Sequence, residues 1–393
     1  MSDAGIKRTL SILGSTGSIG VNALNVISAC PDKFSVKYLT AGHNATLLIE
    51  QARRYHPQAI ALADESQYRM LKDSLSDQNI EISAGKQAIL EIAARDDVDL
   101  VINAIVGMAG LEPTYQAFRA GRDVALSNKE SLVMAGEIIM NLVKEKRLNL
   151  YPIDSEHSAV WQCLAGEDKT NVRRLILTGS GGPFRTRPLA QFDRITPVEA
   201  LRHPTWTMGK KITIDSATMM NKGLEIIEAY WLFGIKPEQI EVLIHPQSII
   251  HSMVEFCDGS VKAQMGLPDM RLPIQYAIGY PERLPRSWES VDWAQIGQLT
   301  FENPDPVKFP ALRLAYEALR RGGSAPAIMN VINELAVYAF LENRITFPGI
   351  TRMIEEALGK IPIIDNPSLN DILNVEPVAR RFVSNILDNE RKL

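Results

Sequence analysis

Residues 9–20 read TLSILGSTGSIG, an apolar run that leads into a turn with glycine at every third position. Residues 9–13 predict a short buried strand, and the apolar spacing of 21–29 predicts a helix that Pro31 ends. A tight connection could use these glycines for its backbone alone. Placed between a first strand and a helix, however, the turn can direct backbone N–H groups and the helix dipole at a pyrophosphate. The GxxGxxG spacing, a variant of the dinucleotide fingerprint, therefore favours a dinucleotide-binding site.

Strand-like and helical stretches alternate from this turn to about residue 150. Regular alternation of this kind is typical of a parallel sheet with helices on both faces. The further predicted strands and the helical stretches between them are 34–40, 47–55, 59–63, 67–75, 87–94, 100–106 and 123–125. We therefore predict an α/β protein in which residues 1–150 form a Rossmann-like, doubly wound parallel sheet that binds the dinucleotide.

The pattern changes after residue 151. Three strands and one long helix are predicted at 173–178, 217–233, 242–245 and 249–256, with a hairpin turn at 258–259. They predict a central α+β catalytic domain over 151–280. Residues 281–310 are rich in proline and are interpreted as a linker. Helical spacing from there onward predicts a C-terminal helical bundle over 311–393.

The composition of the 393 residues excludes several classes of function. Hydrophobic residues make up 46% and charged residues 22%, as in globular proteins that bury large cores. With 42 basic against 46 acidic residues the net charge is -4, which gives no general attraction to nucleic acid or to an anionic membrane. We expect neither as a partner, and we expect a local site to hold any anionic ligand.

Cysteine usage and hydropathy bear on the compartment. Cys30, Cys163 and Cys257 lie far apart without CxxC spacing, which argues against a zinc-thiolate site and a disulfide framework. Polar residues and glycines interrupt residues 9–31, so this segment lacks the apolar core of a secretory signal. No apolar run approaches the roughly 18 residues of a membrane span. We expect a cytoplasmic protein without a transit peptide.

The end of the second predicted strand bears on the choice of dinucleotide. It reads Ala41-Gly42-His43-Asn44, where an Asp or Glu would ordinarily accept the ribose 2′-hydroxyl of NAD. Neither stands there, Gly42 leaves room, and His43 and Asn44 can donate hydrogen bonds to a 2′-phosphate. The pattern favours NADPH. The alternative is that His43 is a plain exposed loop residue.

Three carboxylates are candidates for a metal site. Asp154 and Glu156 follow a predicted strand at 148–153, and two positions apart in extended backbone they would point to the same side. Glu225 lies four residues after Asn221 on the predicted long helix. Three carboxylates without a thiolate suit a hard cation, so Mg²⁺ or Mn²⁺ is favoured over zinc. The alternative is an N-cap with solvated helix charges.

Small and cationic side chains form a second candidate group. A glycine-rich loop at 178–183 follows a predicted strand, and Ser216, Asn221 and Lys222 stand at the start of the predicted long helix. Hydroxyls, an amide and an ammonium near a helix N-terminus are groups that hold a phosphate. Loop chemistry explains the glycines equally well.

Two further segments carry alternatives of the same kind. Lys129, within Asn128-Lys129-Glu130-Ser131, is either a catalytic ammonium or part of an ordinary helix start. Residues 203–209 place Trp206 between a proline and a glycine, which is typical of an active-site flap. The alternative is a tryptophan that anchors a loop to the core.

Seven motifs resemble, in the same order, those of the 1-deoxy-D-xylulose 5-phosphate reductoisomerase family. They lie at 14–20, 127–131, 154–157, 178–184, 203–209, 215–225 and 245–248. The resemblance implies an NADPH- and divalent-metal-dependent oxidoreductase. Such an enzyme rearranges 1-deoxy-D-xylulose 5-phosphate and reduces the product to 2-C-methyl-D-erythritol 4-phosphate, in the non-mevalonate route to isoprenoid precursors. The resemblance also implies that the protein is a homodimer and that its substrate is a small phosphorylated sugar.

The resemblance further implies a role for individual residues. NADPH would be bound by Thr16, Gly17, Ser18, Ile19, Gly42, His43, Asn44, Asn128, Glu130 and Gly209. One Mn²⁺ or Mg²⁺ would be bound by Asp154, Glu156 and Glu225, which together with Lys129 and His203 would form the catalytic set. Substrate would be bound by Lys129, Ser155, Glu156, Ser180, His203, Trp206, Ser216, Asn221, Lys222 and Glu225. His43 stands where relatives commonly have Lys or Arg.

The chemistry implied by the resemblance agrees with these residue types. A divalent cation would act as Lewis acid on the ketone and a neighbouring hydroxyl, and NADPH would deliver hydride to the resulting branched aldehyde. A semialdehyde or homoserine dehydrogenase would share the first domain without needing three carboxylates. A dinucleotide-binding regulator, the other alternative, would need neither the metal set nor the phosphate set.

Overall fold

The computed structural model describes residues 7–285 and 288–390. Within these residues the chain forms two compact units. The first comprises 7–131, 139–158, 269–285 and 288, and the second comprises 132–138, 159–268 and 289–390. No helix in the described ranges is long and apolar enough to cross a membrane.

The strands, in chain order, are β1 Arg8–Leu13, β2 Phe34–Ala41, β3 Ala59–Leu62, β4 Glu81–Ala84, β5 Leu100–Asn103, β6 Asp123–Leu126, β7 Leu150–Pro152, β8 Val172–Gly179, β9 Ile240–Ile244, β10 Ile250–Phe256 and β11 Val261–Met265. The helices up to the second unit's long helix are α1 Ser18–Ala29, α2 Ala45–Tyr55, α3 Tyr68–Ser74, α4 Lys86–Ala93, α5 Leu111–Arg119, α6 Lys129–Lys146, α7 Ser155–Leu164, α8 Pro197–Ala200, α9 Lys210–Ala217 and α10 Met220–Phe233. The remaining helices are α11 Arg271–Gly279, α12 Trp293–Ile296, α13 Ala311–Arg321, α14 Ala325–Leu341, α15 Phe347–Lys360, α16 Leu369–Leu373 and α17 Val375–Glu390.

The first unit is built on a seven-stranded sheet with the order β4-β3-β2-β1-β5-β6-β7. Every strand pair in it is parallel, and β3 and β5 are buried along their whole length. Apolar strands buried on both faces and separated by helices are what a doubly wound sheet requires. The predicted fold class is confirmed. The direction of strand order reverses at β1, between β2 and β5, so a crevice opens there at the carboxyl ends of the strands.

The second unit combines a four-stranded sheet with the C-terminal helices. The sheet order is β11-β10-β8-β9, with β10 antiparallel to both neighbours and β8 parallel to β9. Helix α10 packs on α13, and α14 packs on α9, α15 and α17. The C-terminal helices therefore share a core with the residues around the predicted phosphate loop.

The division into compact units differs from the domain boundaries that composition suggested. Residues 269–285 belong to the first unit, where α11 packs on α1 and β7 and Arg8 Nη1 donates to the carbonyl of Ile278 at 2.8 Å. In the stretch 289–310, expected as linker, Glu302 forms a β-bridge with Ile244. Proline content therefore marked irregular backbone rather than a free connection.

Candidate active site

The glycine turn lies at the crevice of the first sheet. The N–H groups of Gly14 and Ser15 donate to the carbonyl of Thr40, at 3.1 and 2.7 Å, so the turn is tied to the end of β2. Gly14 has φ +83°, and a Cβ there would lie 2.9 Å from the carbonyl oxygen of Ala104, just past β5. The turn thus requires glycine, and it leaves the N-terminus of α1 beside the crevice.

The turn residues predicted to bind the dinucleotide are accessible. Gly17 and Ser18 are exposed, and Thr16 and Ile19 are half-buried. Gly17 precedes α1, and no side chain within the described residues caps the first turn of that helix. A helix N-terminus with free N–H donors attracts an anion.

The loop after β2 presents Gly42, His43 and Asn44 to solvent. Asn44 caps α2, since its Oδ1 accepts from the N–H of Leu47 at 3.1 Å. The His43 side chain is 86% exposed, and its Nδ1 lies 3.6 Å from Oδ2 of Asp64. Asp64 follows β3, and sequence reasoning missed it because the dinucleotide motif places its acidic residue at the end of β2. The pairing of Ala41 with Leu62 brings the two strand ends together and is the signal that points to it.

Asn128 and Lys129 begin helix α6. Asn128 is 2% exposed, and its amide donates to the carbonyls of Ile105 and Gly107 at 2.7 and 2.8 Å while its Oδ1 accepts from the N–H of Ser131. Its side chain therefore caps the helix and holds the loop after β5. Glu130, which is also buried, accepts a further hydrogen bond from the same amide.

Lys129 and Asp154 form a buried ion pair in the first unit. Lys129 Nζ lies 2.5 Å from Asp154 Oδ2, and the two side chains are 7% and 9% exposed. Burying two charges is unfavourable unless they are paired and hydrogen-bonded, so this pair is a strong candidate for function.

The backbone around Asp154 differs from the predicted extended segment. The chain enters α7 at Ser155, so Glu156 lies in a first helical turn, and the expectation of a common strand face is wrong. Asp154 Oδ1 accepts from the N–H of Glu156 at 3.3 Å, as a capping carboxylate does. Ser155 Oγ donates to Glu156 Oε2 at 2.5 Å, and His157 Nδ1 lies 3.9 Å from Asp154 Oδ1.

The second unit gathers the predicted phosphate ligands around one hollow. Ser180, Ser216, Asn221 and Lys222 all line it. The loop after β8 requires glycine here, because Gly182 has φ +68° and a Cβ there would lie 2.7 Å from the carbonyl oxygen of Ser216.

A break between two helices shapes this hollow. The predicted single helix over 217–233 is wrong in its first turn. Helix α9 ends at Ala217, Met219 takes a left-handed conformation with φ 64°, and α10 begins at Met220. The break places Ser216 at the end of one helix and Asn221 and Lys222 at the N-terminus of the next, where the helix dipole favours an anion.

Glu225 is fully buried and held by its own helix. Lys222 Nζ donates to Glu225 Oε2 at 2.6 Å, and Asn221 Nδ2 donates to Oε1 at 2.5 Å. Lys222 therefore contacts a carboxylate as well as lining the hollow. An anion bound in the hollow would share this ammonium with the carboxylate of Glu225.

His203 is joined to the same hollow. Its Nδ1 accepts from the N–H groups of Thr205 and Trp206 at 3.1 and 2.9 Å, so its proton sits on Nε2, which faces Ser180 Oγ at 3.1 Å. Burial, and then the positive charge of Lys222, lower the pKa of His203 to about 4. The imidazole is therefore neutral in the physiological range and acts as a hydrogen-bond donor.

Trp206 lies in a segment without helix or strand that runs from 202 to 209. It is half-buried, and its ring centroid lies 6.4 Å from that of His251. His251 is a contact that sequence reasoning did not anticipate. Gly209 is exposed and immediately precedes α9.

These features define a dinucleotide-dependent enzyme of the oxidoreductase class whose second unit has a hollow suited to a phosphate. Family models described as 1-deoxy-D-xylulose 5-phosphate reductoisomerase, and as two forms of its C-terminal domain, match residues 10–136, 150–233 and 265–382. The chain belongs to the 1-deoxy-D-xylulose 5-phosphate reductoisomerase family, as its motifs predicted.

Relatives of that name match almost the whole chain. The protein from Chloroherpeton thalassium is 52% identical over 376 residues, covering 96% of this chain and 97% of its own. The protein from Phocaeicola vulgatus is 51% identical over 384 residues, covering 98% of this chain and 100% of its own.

Solved structures agree with this assignment. The reductoisomerase of Zymomonas mobilis in complex with NADPH has a TM-score of 0.91 at 45% identity, covering 97% of this chain and 99% of its own. A DOX-P reductoisomerase in complex with NADPH, fosmidomycin and magnesium has a TM-score of 0.93 at 39% identity, covering 98% of this chain and 99% of its own.

Proposed function

We infer that this protein converts 1-deoxy-D-xylulose 5-phosphate to 2-C-methyl-D-erythritol 4-phosphate, a step toward isoprenoid precursors, with NADPH and a divalent cation. Family membership over nearly the full chain supports the reaction. The observation that carries it is the hollow lined by Ser180, Ser216, Asn221 and Lys222, together with a glycine turn suited to a dinucleotide. A plain dehydrogenase or a regulator would need only the glycine turn.

The residues that we propose for NADPH are those of the turn at 16–19, the loop at 42–44, Asn128, Glu130 and Gly209. The exposed N-terminus of α1 suits the pyrophosphate. The buried amide of Asn128 is occupied as a helix cap, so we propose that it acts by holding the loop at 105–107 in place.

For the cation we propose Asp154, Glu156 and Glu225. The donor chemistry fits, since all three are carboxylates, Asp154 is 8% exposed and Glu225 is fully buried, and each of those two lies against a lysine. Carboxylate oxygens are the ligands that Mg²⁺ and Mn²⁺ prefer. When bound, such a cation supplies Lewis acidity to the ketone and hydroxyl oxygens of the substrate.

The chain's own residues bind the sugar phosphate and move protons. Ser180, Ser216, Asn221 and Lys222 hold the phosphate, and neutral His203 donates from Nε2. We propose that Lys129, whose Nζ lies 2.5 Å from Asp154, exchanges a proton with the substrate, and that Ser155, which donates to Glu156, orients that carboxylate. Binding at the phosphate, remote from the reacting carbons, can be used to orient those carbons and to close the flap.

The direct test is oxidation of NADPH, followed by absorbance, with the purified protein, 1-deoxy-D-xylulose 5-phosphate and Mn²⁺ or Mg²⁺. We expect turnover that stops on chelation of the cation and a branched polyol phosphate as product. Oxidation of NADPH with aspartate semialdehyde, the aldehyde that is reduced to homoserine, but not with the sugar phosphate, would instead assign the chain to a different dehydrogenase class.

Replacing His43 by Ala tests the cofactor loop. Only NADPH carries a 2′-phosphate, so we expect KM for NADPH to rise about tenfold, the effect of losing one charge-assisted hydrogen bond, while KM for NADH hardly changes. Initial rates with each cofactor measure this. The control is His56→Asn, which removes another imidazole of the first unit. His56 has φ 47°, a left-handed conformation that asparagine tolerates. Equal effects of His43→Ala on both cofactors would make His43 a plain loop residue.

We propose that residues 203–209 form a mobile flap whose Trp206 covers the substrate and the nicotinamide. A broad aromatic face excludes water from the hydride transfer, so Trp206→Ala should lower kcat about tenfold with little change in thermal midpoint. Trp293→Ala removes an exposed tryptophan of the same unit and is the control. Protease cleavage of the loop should slow when NADPH and a phosphonate hydroxamate are bound. Equal cleavage in both states, or a Trp206→Ala protein that does not fold, would contradict the flap.

We also propose that the enzyme is a cytoplasmic homodimer. The family resemblance supports the dimer. Free Cys30, Cys163 and Cys257 support a reducing compartment, and burial raises the pKa of the Cys163 thiol to about 11, which makes it unreactive.

A further inference from the structure

The loop that bears His43 is bound to a turn from the neighbouring strand. Asp64 N donates to the carbonyl of Gly42 at 3.0 Å, and Gln67 Nε2 donates to the carbonyl of His43 at 2.8 Å. The carboxylate of Asp64 then lies 3.6 Å from Nδ1 of His43. Backbone and side-chain contacts thus set the distance between this carboxylate and the imidazole.

The Asp64 carboxylate is occupied by its own turn. Oδ1 accepts from Ser66 N at 3.1 Å and Ser66 Oγ at 2.6 Å, and Oδ2 accepts from Gln67 Nε2 at 2.8 Å. The hydrogen bonds from Ser66, followed by that from Gln67, lower the pKa of Asp64 to about 2, so it is ionised at neutral pH. Since its oxygens are taken up locally and Oδ2 faces His43, it is poorly available to accept from a ribose hydroxyl, the usual role of an acid in this region of a Rossmann fold.

We propose that Asp64 is a positioning residue that orients the His43 imidazole toward the 2′-phosphate and thereby sets the preference for NADPH. This rests on the proposed function, in which NADPH is the reductant. With Nδ1 held 3.6 Å from the Asp64 carboxylate, Nε2 faces away from that carboxylate and is the ring nitrogen left to meet the 2′-phosphate.

The pairing also makes selectivity depend on both residues. Without His43, the Asp64 carboxylate would repel the 2′-phosphate of NADPH, whereas the binding of NADH, which lacks this phosphate, would be unaffected. Asp64→Asn should therefore act in opposite directions in two backgrounds. The substitution should weaken the binding of NADPH when His43 is present. It should strengthen the binding of NADPH when residue 43 is already alanine.

The test measures the dissociation constants of NADPH and NADH by cofactor fluorescence for the parent, D64N, H43A and H43A/D64N. We expect D64N to raise the dissociation constant of NADPH by roughly fivefold to tenfold. The dissociation constant of NADH, and kcat at saturating cofactor, should stay unchanged. In the H43A background, the same substitution should lower the dissociation constant of NADPH by roughly threefold. D77N, which removes a surface carboxylate paired with Arg53 in the same unit, is the control and should change nothing.

Three outcomes overturn the inference. If D64N weakens the binding of NADPH and NADH alike, Asp64 acts by contacting the ribose or by stabilising the loop. D64N that weakens NADPH equally in both backgrounds would show that it does not act through His43, and D64N without effect would remove its role. Each of these can occur while the parent turns over the sugar phosphate with NADPH. A parent that does not bind NADPH would overturn the proposed function as well.

Discussion

Asp154→Asn is expected to lower kcat/KM by about a thousandfold or more, the largest effect of any single change considered for this chain. The substitution keeps the shape of the side chain, and an amide oxygen can still accept the N–H of Glu156 that Asp154 Oδ1 accepts at 3.3 Å. It removes the negative charge that faces Lys129 Nζ at 2.5 Å and that the proposed cation site would use. Both the proton path and the metal affinity should suffer, while the fold survives.

Calorimetric titration with Mn²⁺ separates these roles, and thermal unfolding followed by circular dichroism confirms that the variant folds. Asp168→Asn is the matched control, because Asp168 also caps a turn, accepting from Thr170 N at 2.9 Å, and is exposed. We expect the control to retain parental activity and Mn²⁺ affinity. An Asp154→Asn protein that binds Mn²⁺ as tightly as the parent would remove Asp154 from the metal set.

The parallel sheet could be predicted because its signals are local. An apolar run, a glycine turn and a helical spacing lie within residues 9–29, and the same units recur along the first 130 residues. Strand β4 was missed, since its residues are exposed or half-buried and lack an apolar run. Strand β5 ends at Asn103 rather than at 106, and the carbonyls of Ile105 and Gly107 beyond it accept from the side-chain amide of Asn128 instead of from a neighbouring strand.

The details of the site were harder to predict because they depend on backbone that the pattern does not reveal. The apolar spacing is continuous through 217–233, yet Met219 breaks the helix in a conformation that non-glycine residues seldom adopt. The start of α7 at Ser155 entered the sequence analysis only as the alternative of an N-cap, since the capping residue is itself the candidate ligand Asp154. The candidate residues were thus identified by type and motif, while the geometry that holds them was not.

Contacts between distant segments were beyond reach for a different reason. Asp64 lies beside His43 only because β2 and β3 are neighbours in the sheet, a pairing that the residues at the end of either strand do not reveal. Residues 269–285 join the first unit through α11, although some 110 residues separate them from the rest of it. Composition and periodicity carry no information about such pairings.

Lys222→Ala is expected to lower kcat/KM by about tenfold to a hundredfold, the range for losing a charge-assisted hydrogen bond to the substrate phosphate. Lys222 is 5% exposed and lines the hollow with Ser180 and Ser216, and its ammonium donates to Glu225 at 2.6 Å. If the phosphate contact dominates, 1-deoxy-D-xylulose, which lacks the phosphate, should be turned over equally by parent and variant. Lys262→Ala, which removes an exposed lysine of the same unit paired with Glu167, is the control.

A second measurement makes the assignment of Lys222 sharper. Its charge, after burial, holds the pKa of His203 at about 4, so removing the charge should raise that pKa while burial still keeps it below the ordinary value. On the proposed role of the neutral imidazole as hydrogen-bond donor, activity should fall as pH falls through this pKa, so the acid limb of the pH–rate profile should move to higher pH in Lys222→Ala. A variant equally impaired toward the phosphate-free analogue, with weaker Mn²⁺ binding, would show that Lys222 acts through Glu225 and not through the phosphate. An unmoved acid limb would contradict the effect of the Lys222 charge on His203.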